Sequence, residues 1–230
     1  MNGIDTAIGG ALGGLKRTVK HLYWRAYGLF LIQPPIPPSP RSLLFVCKGN
    51  ICRSPFAEAM ARRHVPDGLP IAFRSAGIDV GQPEGCPRET LAAAETFGID
   101  LSGHRSRQID AELVAGADMV LAMEAWQASR LRKVFPEHRE KVYLLPLFEE
   151  SPPGRPDAGR LLNIRDPYGR AIEDFIECFE RIEACLKGIF SGVRDAGIRP
   201  PGEERATAAH PGDQRPAPAG YPRDRAPKEP

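Results

Sequence analysis

Cys47 and Arg53 are the residues whose types and spacing could do chemistry, because only five residues separate a nucleophilic thiol from a planar guanidinium. They enclose a loop that follows an apolar run at residues 43–46 and precedes a predicted helix beginning at Pro55. A loop between the carboxyl end of a strand and the amino end of a helix presents free backbone N–H groups and the positive end of the helix dipole. We therefore expect the loop to bind an anion and to favour the thiolate form of Cys47.

The residues between and after these two are suited to holding a phosphoryl group. The Arg53 guanidinium can donate hydrogen bonds to two phosphate oxygens at once, and these hydrogen bonds should strengthen in the transition state. Gly49 and Asn50 are the residue types that most easily adopt a left-handed backbone, which turns successive N–H groups inward. The Ser54 hydroxyl can donate to the Cys47 sulfur and stabilise it as a leaving group. The expected phosphate-binding residues are Lys48, Gly49, Asn50, Ile51, Cys52, Arg53 and Ser54.

Asp166 is the best candidate for the acid that this chemistry needs. An alcohol or phenol displaced from phosphorus must be protonated as it leaves, so a carboxylic acid has to stand over the loop. In the segment Asp166-Pro167-Tyr168-Gly169, the proline stiffens the backbone beside the acid and the tyrosine can form one wall of a pocket. Asp-Pro is also a common turn dipeptide, and local sequence alone favours an ordinary turn over catalysis.

The run Cys-Lys-Gly-Asn-Ile-Cys-Arg-Ser-Pro at residues 47–55 resembles the phosphate loop of the low-molecular-weight protein tyrosine phosphatases. The resemblance implies an α/β fold with a single three-layer domain, a four-stranded parallel sheet and helices on both faces. It also implies phosphotyrosine hydrolysis without a cofactor or metal, in which Cys47 forms a phosphocysteine and Arg53 clamps the phosphate. Asp166 matches the family's general acid and base, which lies in an Asp-Pro-aromatic loop before the last helix.

Two further segments, residues 75–77 and 102–108, resemble the family's supporting segments. The resemblance implies that Asn50, Ser54, Ser75 and His104 form a network that keeps the loop in shape, with Tyr168 as a supporting wall. His104 would then brace the loop and would not act as a catalytic base. Cys52 could form a reversible disulfide that protects the nucleophile from overoxidation, or it could be a passive loop residue.

Some positions depart from the family pattern and bear on substrate preference. Lys48 stands where an apolar residue is usual, which adds positive charge at the pocket rim. Residues 78–84 lack the aromatic residue that often forms one wall of the pocket, so we expect Tyr168 to be the aromatic wall. Residues 163–165, just before Asp166, lack the acidic residue and the proline that are frequent in the family. Ile51 resembles the phosphotyrosine branch of the family, since the phosphoarginine branch tends to have threonine there.

Two other functions compete with this interpretation. A thioredoxin-coupled arsenate reductase shares the fold and the loop, but it requires two more cysteines after the third strand, and residues 119–132 contain none. A phosphate-binding scaffold without turnover is the second alternative. The joint presence of Cys47, Arg53 and Asp166 argues against it.

Strand and helix signals alternate over residues 41–195, which predicts a parallel α/β domain there. Cys178 and Cys185 lie seven residues apart in the last predicted helix, so both should lie on the side of the helix that faces the core. Cys86 lies in a Gly/Pro-rich loop and should be exposed. The predicted strands are residues 42–46, 71–75, 118–123 and 142–145, and the predicted helices are residues 55–64, 87–97, 108–114, 124–134 and 172–190.

The composition of the whole chain excludes several classes of protein. A net charge of +2 gives no general signal for nucleic acid. Five irregularly spaced cysteines do not form a secreted disulfide framework, which favours a cytoplasmic setting. We find no apolar run near the ~18 residues that span a bilayer.

The two ends of the chain differ from the predicted domain. Residues 1–40 form an extension, in which a basic amphipathic segment at 15–32 precedes a proline-rich spacer at 34–40. That segment could dock on a partner or on this protein's own domain, bind peripherally to an anionic membrane surface, or have no role. Residues 196–230 are rich in proline and charge and predict a disordered tail. The resemblance implies that a phosphotyrosine-containing protein, such as a bacterial tyrosine kinase or a polysaccharide-assembly protein, is the substrate.

Overall fold

A computed structural model describes residues 39–65, 69–149 and 162–195, together with Pro34, Ile36 and Pro37. The amphipathic segment at 15–32 and the tail at 196–230, both singled out in the sequence, lie outside the described residues. No helix in the described ranges is long and apolar enough to cross a bilayer.

The alternation of strands and helices is confirmed over the described residues. The four strands are β1 (Ser42–Cys47), β2 (Ala72–Gly77), β3 (Met119–Ala122) and β4 (Val142–Leu144). The helices are α1 (Arg53–His64), α2 (Arg88–Thr96), α3 (Ala111–Ala115), α4 (Ala125–Val134) and α5 (Ile172–Asp195), and two 3-10 segments cover Pro136–Lys141 and Leu145–Phe148.

The strands form one parallel sheet in the order β2-β1-β3-β4. The chain leaves β1 toward β2 on one side and later returns to place β3 on the other side. In an open α/β sheet, ligands bind in the crevice at the carboxyl ends of the strands where the order reverses, which here lies between β1 and β3. Cys47 is the last residue of β1 and therefore lies at that crevice.

Alternating side chains of β1 contribute to two separate hydrophobic clusters, one on each face of the sheet. Leu43 and Phe45 pack in the cluster that contains residues of α1, α2 and α5. Leu44 and Val46 pack in the cluster that contains residues of α3 and α4. This two-sided burial is the reason why β1 reads as a continuous apolar run, and it confirms the expected three layers.

Two expected helix starts are wrong, and local contacts explain the one at α3. Helix α1 begins at Arg53 rather than Pro55. Helix α3 begins at Ala111 rather than Gln108, because Gln108 bridges to Gly77 and the Asp110 side chain caps the helix by accepting from the Leu113 N–H at 2.8 Å.

The cysteines outside the loop separate into two groups. Cys178 and Cys185 are buried in the core, as their spacing predicted. The expectation that Cys86 is exposed is wrong, because it is half-buried and packs against the cluster on the α1 face. Burial raises the pKa of the Cys86 thiol to about 12, and the charge of Cys47 adds to the effect.

Candidate active site

Cys47 ends β1 in a buried position, and the loop that follows folds back over its sulfur. The Asn50 N–H donates to Cys47 Sγ at 3.2 Å, and Ser54 Oγ lies 3.0 Å from the same sulfur. A thiolate can only accept hydrogen bonds, so in that state the Ser54 hydroxyl must be the donor. Both contacts stabilise negative charge on the sulfur.

The backbone of this loop depends on one left-handed residue. Asn50 has a φ of 54°, as its residue type predicted. Gly49 is not among the glycines with positive φ, so the expectation that it shares this conformation is wrong. The Asn50 side chain compensates for the uncommon backbone with several hydrogen bonds to neighbouring segments.

These hydrogen bonds join the loop to β2 and to the segment before α3. Asn50 Nδ2 donates to Ser54 Oγ at 2.9 Å and to Ser75 Oγ at 3.0 Å. Asn50 Oδ1 accepts from the Arg107 N–H at 3.0 Å, and the Asn50 carbonyl lies 2.7 Å from His104 Nε2. The structure therefore brings Asn50, Ser54, Ser75 and His104 into one connected network.

Arg53 is 1% exposed and lies between two carboxylates. Its Nη1 donates to Glu124 Oε1 at 2.6 Å and to the Ile164 carbonyl at 3.0 Å, and its Nη2 lies 2.9 Å from Asp166 Oδ2. Burial alone would lower the pKa of the guanidinium, but the charges of Glu124, Asp166 and Cys47 outweigh burial and raise it. Arg53 is therefore a fixed cation in the site.

One donor of Arg53 has no partner. Among the buried side-chain atoms of the described residues, Arg53 Nε is the one nitrogen or oxygen without a hydrogen bond. A buried donor left unpaired costs about 1–3 kcal/mol, so such a group is rarely left without a function. An anionic oxygen bound in the loop would satisfy it.

A single cavity of about 200 Å³ collects the candidate groups. Asp166, with a side chain 40% exposed, stands over Arg53 and lines this cavity together with the 62% exposed Tyr168. The lining residues are Cys47, Lys48, Gly49, Ile51, Cys52, Arg53, Asp79, Glu84, Asp166 and Tyr168. A thiol, a guanidinium and a carboxyl group therefore meet at one cavity.

Cys52 is a second buried thiol in the loop. Burial raises the pKa of Cys52 to about 12, although a hydrogen bond from Thr90 Oγ1 at 3.1 Å acts in the opposite direction. Cys52 is therefore a neutral thiol at physiological pH. The two interpretations of Cys52, protective partner or passive residue, both remain predictions.

Glu124, Glu58 and Thr90 are contacts of the site that sequence reasoning missed. Glu124 lies two residues after the end of β3, and its Oε1 also accepts from Gln127 Nε2 at 3.0 Å, which holds the carboxylate beside Arg53. Glu58 accepts from the Ser75 hydroxyl at 2.6 Å and so extends the Asn50 network into α1. Because the carboxyl ends of neighbouring parallel strands meet at one edge, an acid just after β3 was a usable signal. Among the described residues, no group of three or more His, Cys, Asp and Glu side chains could hold a metal ion.

Comparisons with known proteins agree with this geometry. Residues 42–197 match the model of a family described as low molecular weight phosphotyrosine protein phosphatase. A low molecular weight protein-tyrosine-phosphatase of Streptomyces coelicolor is 37% identical over 160 residues, which cover 66% of this chain and 92% of that protein.

Two solved structures have a similar fold. The YwlE arginine phosphatase from Geobacillus stearothermophilus has a TM-score of 0.58 and 27% identity, with 68% of this chain and 94% of that chain covered. The tyrosine phosphatase Wzb from Escherichia coli K30, in complex with sulphate, has a TM-score of 0.57 and 28% identity, with 67% of this chain and 99% of that chain covered.

Proposed function

Because the chain belongs to the low molecular weight phosphotyrosine protein phosphatase family, we propose that it hydrolyses phosphotyrosine in a protein through a phosphocysteine on Cys47. The observation that carries this proposal is the cavity in which Cys47, Asp166 and the unpaired Nε of Arg53 meet. The match over residues 42–197 supports assigning this activity to the domain at residues 41–195.

In the first step, the Cys47 thiolate attacks phosphorus and the bond from phosphorus to the phenolic oxygen breaks. Protonated Asp166 gives its proton to that oxygen, so tyrosine leaves as a neutral phenol. Arg53 Nε and the loop N–H groups stabilise the charge on the phosphoryl oxygens as it moves. The phosphate supplies the partner that Arg53 Nε lacks.

In the second step, ionised Asp166 takes a proton from water while the water oxygen bonds to phosphorus. The sulfur–phosphorus bond breaks, and Cys47 leaves as a thiolate. Hydrogen bonds from Ser54 Oγ and the Asn50 N–H stabilise this leaving group. Asn50, Ser75 and His104 keep those donors in place, so these residues would act through the shape of the loop.

Hydrolysis of para-nitrophenyl phosphate tests the reaction. We expect no turnover in Cys47→Ser and a kcat about 10²–10⁴-fold lower in Asp166→Asn, which is the range for loss of a general acid. Asp100→Asn is the matched control, because this exposed carboxylate lies outside the cavity and should leave kcat unchanged. A wild-type protein that hydrolyses no phosphate ester would favour the scaffold alternative, and reduction of arsenate would favour the reductase alternative.

The substrate class needs a separate experiment, since one structurally similar protein is named an arginine phosphatase. We expect kcat/KM for a phosphotyrosine peptide to exceed that for the same peptide carrying phosphoarginine, because Ile51 lines the cavity where the phosphoarginine branch tends to have threonine. A preference for phosphoarginine would overturn the proposed substrate class while leaving the two-step chemistry intact.

The physiological substrate is proposed to be a bacterial tyrosine kinase or a polysaccharide-assembly protein in the cytoplasm, as the family resemblance implies. Incubating Cys47→Ser with lysate and identifying retained phosphoproteins by mass spectrometry would test this assignment. Sulfate should release authentic substrates, because it competes for the same anion site. Proteins retained equally by a Cys47→Ser/Arg53→Ala double variant would be nonspecific.

A further inference from the structure

The cavity over Cys47 is too small to take more than one side chain of a protein substrate. Its volume of about 200 Å³ lies below the range of about 300–1,000 Å³ that is typical of ligand pockets. The backbone and the neighbouring residues of a phosphotyrosine segment must therefore lie across the mouth. The side chains at that mouth decide which neighbours are tolerated.

Two of these side chains carry opposite charges and are unpaired. Lys48 and Glu84 are both exposed, and both line the cavity. Within the described part of the chain, neither forms an ion pair with the other or with any other residue. Asp79, the third charged residue at the mouth, differs because its carboxylate is paired with Arg130 at 2.9 Å.

The backbones that carry Lys48 and Glu84 are anchored. The Lys48 carbonyl accepts from the Asp79 N–H at 2.9 Å, which ties it to the segment after β2. Glu84 is held at both backbone atoms by Ser106: its N–H donates to Ser106 Oγ at 2.9 Å, and its carbonyl accepts from the Ser106 N–H at 2.9 Å. Arg105 lies near this loop but directs its Nη1 to the His104 carbonyl.

We propose that Lys48 and Glu84 determine substrate specificity through electrostatic interactions with the charged residues beside the phosphotyrosine. Lys48 favours an acidic neighbour and Glu84 favours a basic one, so the preferred segment carries one of each. This inference rests on the proposed phosphotyrosine activity. The two charges act separately because they lie on different anchored loops and do not neutralise each other.

Four phosphotyrosine peptides test the proposal. The two mixed peptides have Glu on one side of the phosphotyrosine and Arg on the other, in the two possible orders. The double-Glu peptide has Glu on both sides, and the double-Arg peptide has Arg on both sides. We expect the better mixed peptide to exceed both double peptides in kcat/KM by about two- to fivefold at low ionic strength, as for exposed charge pairs. The preference should nearly disappear at 1 M salt, where the screening length is about 3 Å.

Variants separate the two contributions. Lys48→Met should abolish the preference over the double-Arg peptide and keep the preference over the double-Glu peptide, and Glu84→Gln should do the reverse. Each result is a ratio of kcat/KM values for one variant, so a change in basal turnover cancels. Lys133→Met and Glu95→Gln, exposed positions outside the cavity, should keep the wild-type ratios.

Equal rates for all four wild-type peptides, a double peptide as the best substrate, or either variant retaining both preferences would overturn the proposal. Hydrolysis of para-nitrophenyl phosphate by the same preparation distinguishes this failure from failure of the proposed function. If that substrate and every peptide are inert, the phosphatase assignment itself fails. If it is hydrolysed and the peptides are not discriminated, only the role of Lys48 and Glu84 fails.

Discussion

Arg53 is the residue on which the geometry of the site converges. It begins α1, yet its guanidinium is held by Glu124 after β3 and by Asp166 in the loop before α5. Glu124 and the Ile164 carbonyl together occupy Nη1, which orients the guanidinium and leaves Nε for a ligand. Asp166 lies 2.9 Å from the remaining nitrogen, Nη2.

At the residue scale, we expect Glu124→Gln to lower kcat/KM for para-nitrophenyl phosphate by about 5- to 10-fold. The substitution replaces a charge-assisted hydrogen bond to a buried cation, worth about 1.5–3 kcal/mol, with a bond to a neutral amide oxygen, worth about 0.5–1.5 kcal/mol. The guanidinium would then lose the ion pair on the side where the Ile164 carbonyl also accepts, and it would bind phosphate with a less favourable orientation.

A pair of measurements separates this positioning effect from general destabilisation. The inhibition constant for sulfate should rise as kcat/KM falls. Urea unfolding at 25 °C should show that the variant is still fully folded without denaturant, as it is in the assay. Glu137→Gln changes an exposed glutamate and should alter neither value. Unchanged sulfate inhibition in Glu124→Gln would contradict a role in orienting Arg53.

At the scale of elements, the close approach of β2 to the loop between Cys47 and Arg53 depends on Gly77. A Cβ atom built on Gly77 would lie 2.5 Å from Val80 Cγ2 and 2.9 Å from both the Gly49 carbonyl carbon and the Lys48 carbonyl oxygen. The last two contacts involve backbone, which has little freedom to move away. Gly77 also pairs with Cys47 in the sheet, so a displacement there reaches the nucleophile.

We therefore expect Gly77→Ala to lower stability by about 1–3 kcal/mol, the usual cost of overpacking, and to lower kcat through displacement of the loop. Gly81→Ala is the matched control, because a Cβ there meets nothing within 4 Å. Urea unfolding and turnover of para-nitrophenyl phosphate measure the two effects. Equal behaviour of the two alanine variants would show that the loop tolerates displacement.

Helices α1 and α5 are joined by an aromatic stack and by the contact between Glu183 and His64. The rings of Phe56 and Phe179 are parallel at a centroid distance of 3.8 Å. Glu183 lies 2.9 Å from His64 Nε2 and 3.0 Å from Lys187 Nζ. Burial would raise the pKa of Glu183, but the contacts with Lys187 and His64 outweigh burial and lower it.

This shift predicts how the contact depends on pH. A carboxyl group with a lower pKa in the folded state stabilises the fold at pH values above its unfolded pKa, about 4.3, and loses that contribution as the pH falls. Glu183→Gln should therefore lower the urea midpoint at pH 5.5, and the difference from wild type should shrink toward pH 3. Glu180→Gln, on an exposed position of the same helix, should show no such convergence. A constant difference across this range would refute the charged contact.

At the scale of the whole molecule, the contacts of Pro40 and Arg41 mark how far the amino-terminal extension can be removed. Pro40 is buried, the Arg41 N–H donates to Asp118 Oδ2 at 2.7 Å, and the Arg41 carbonyl accepts from the Ala72 N–H at 2.8 Å. These backbone contacts connect the start of β1 to both neighbouring strands.

We expect removal of residues 1–38, which keeps Pro40 and Arg41, to leave kcat/KM for para-nitrophenyl phosphate within about twofold of the full-length value. The cellular location or the set of protein partners should change instead, because the amphipathic segment at 15–32 is lost. Fractionation of cells and kinetics of the two purified proteins provide the comparison. A large loss of activity would show that the extension is part of the catalytic fold.

The sequence by itself determined the candidate loop from Cys47 to Arg53 and the alternation of strands and helices. The reason is that both are local: Cys47 and Arg53 are close in the chain, and periodicity needs only neighbouring residues. The left-handed Asn50 followed from its residue type in the same way. The predicted start of α3 at Gln108 was wrong, because Gln108 bridges to Gly77 and a local pattern does not show this pairing.

Only the tertiary structure decided which distant groups complete the site. Glu124 is 71 residues from Arg53 in sequence, and the two meet because β3 lies beside β1 with their carboxyl ends at one edge. The close packing of Gly77 against the loop and the position of Lys48 and Glu84 at one cavity have the same origin. Strand order and register set such distances, and no local residue pattern encodes them.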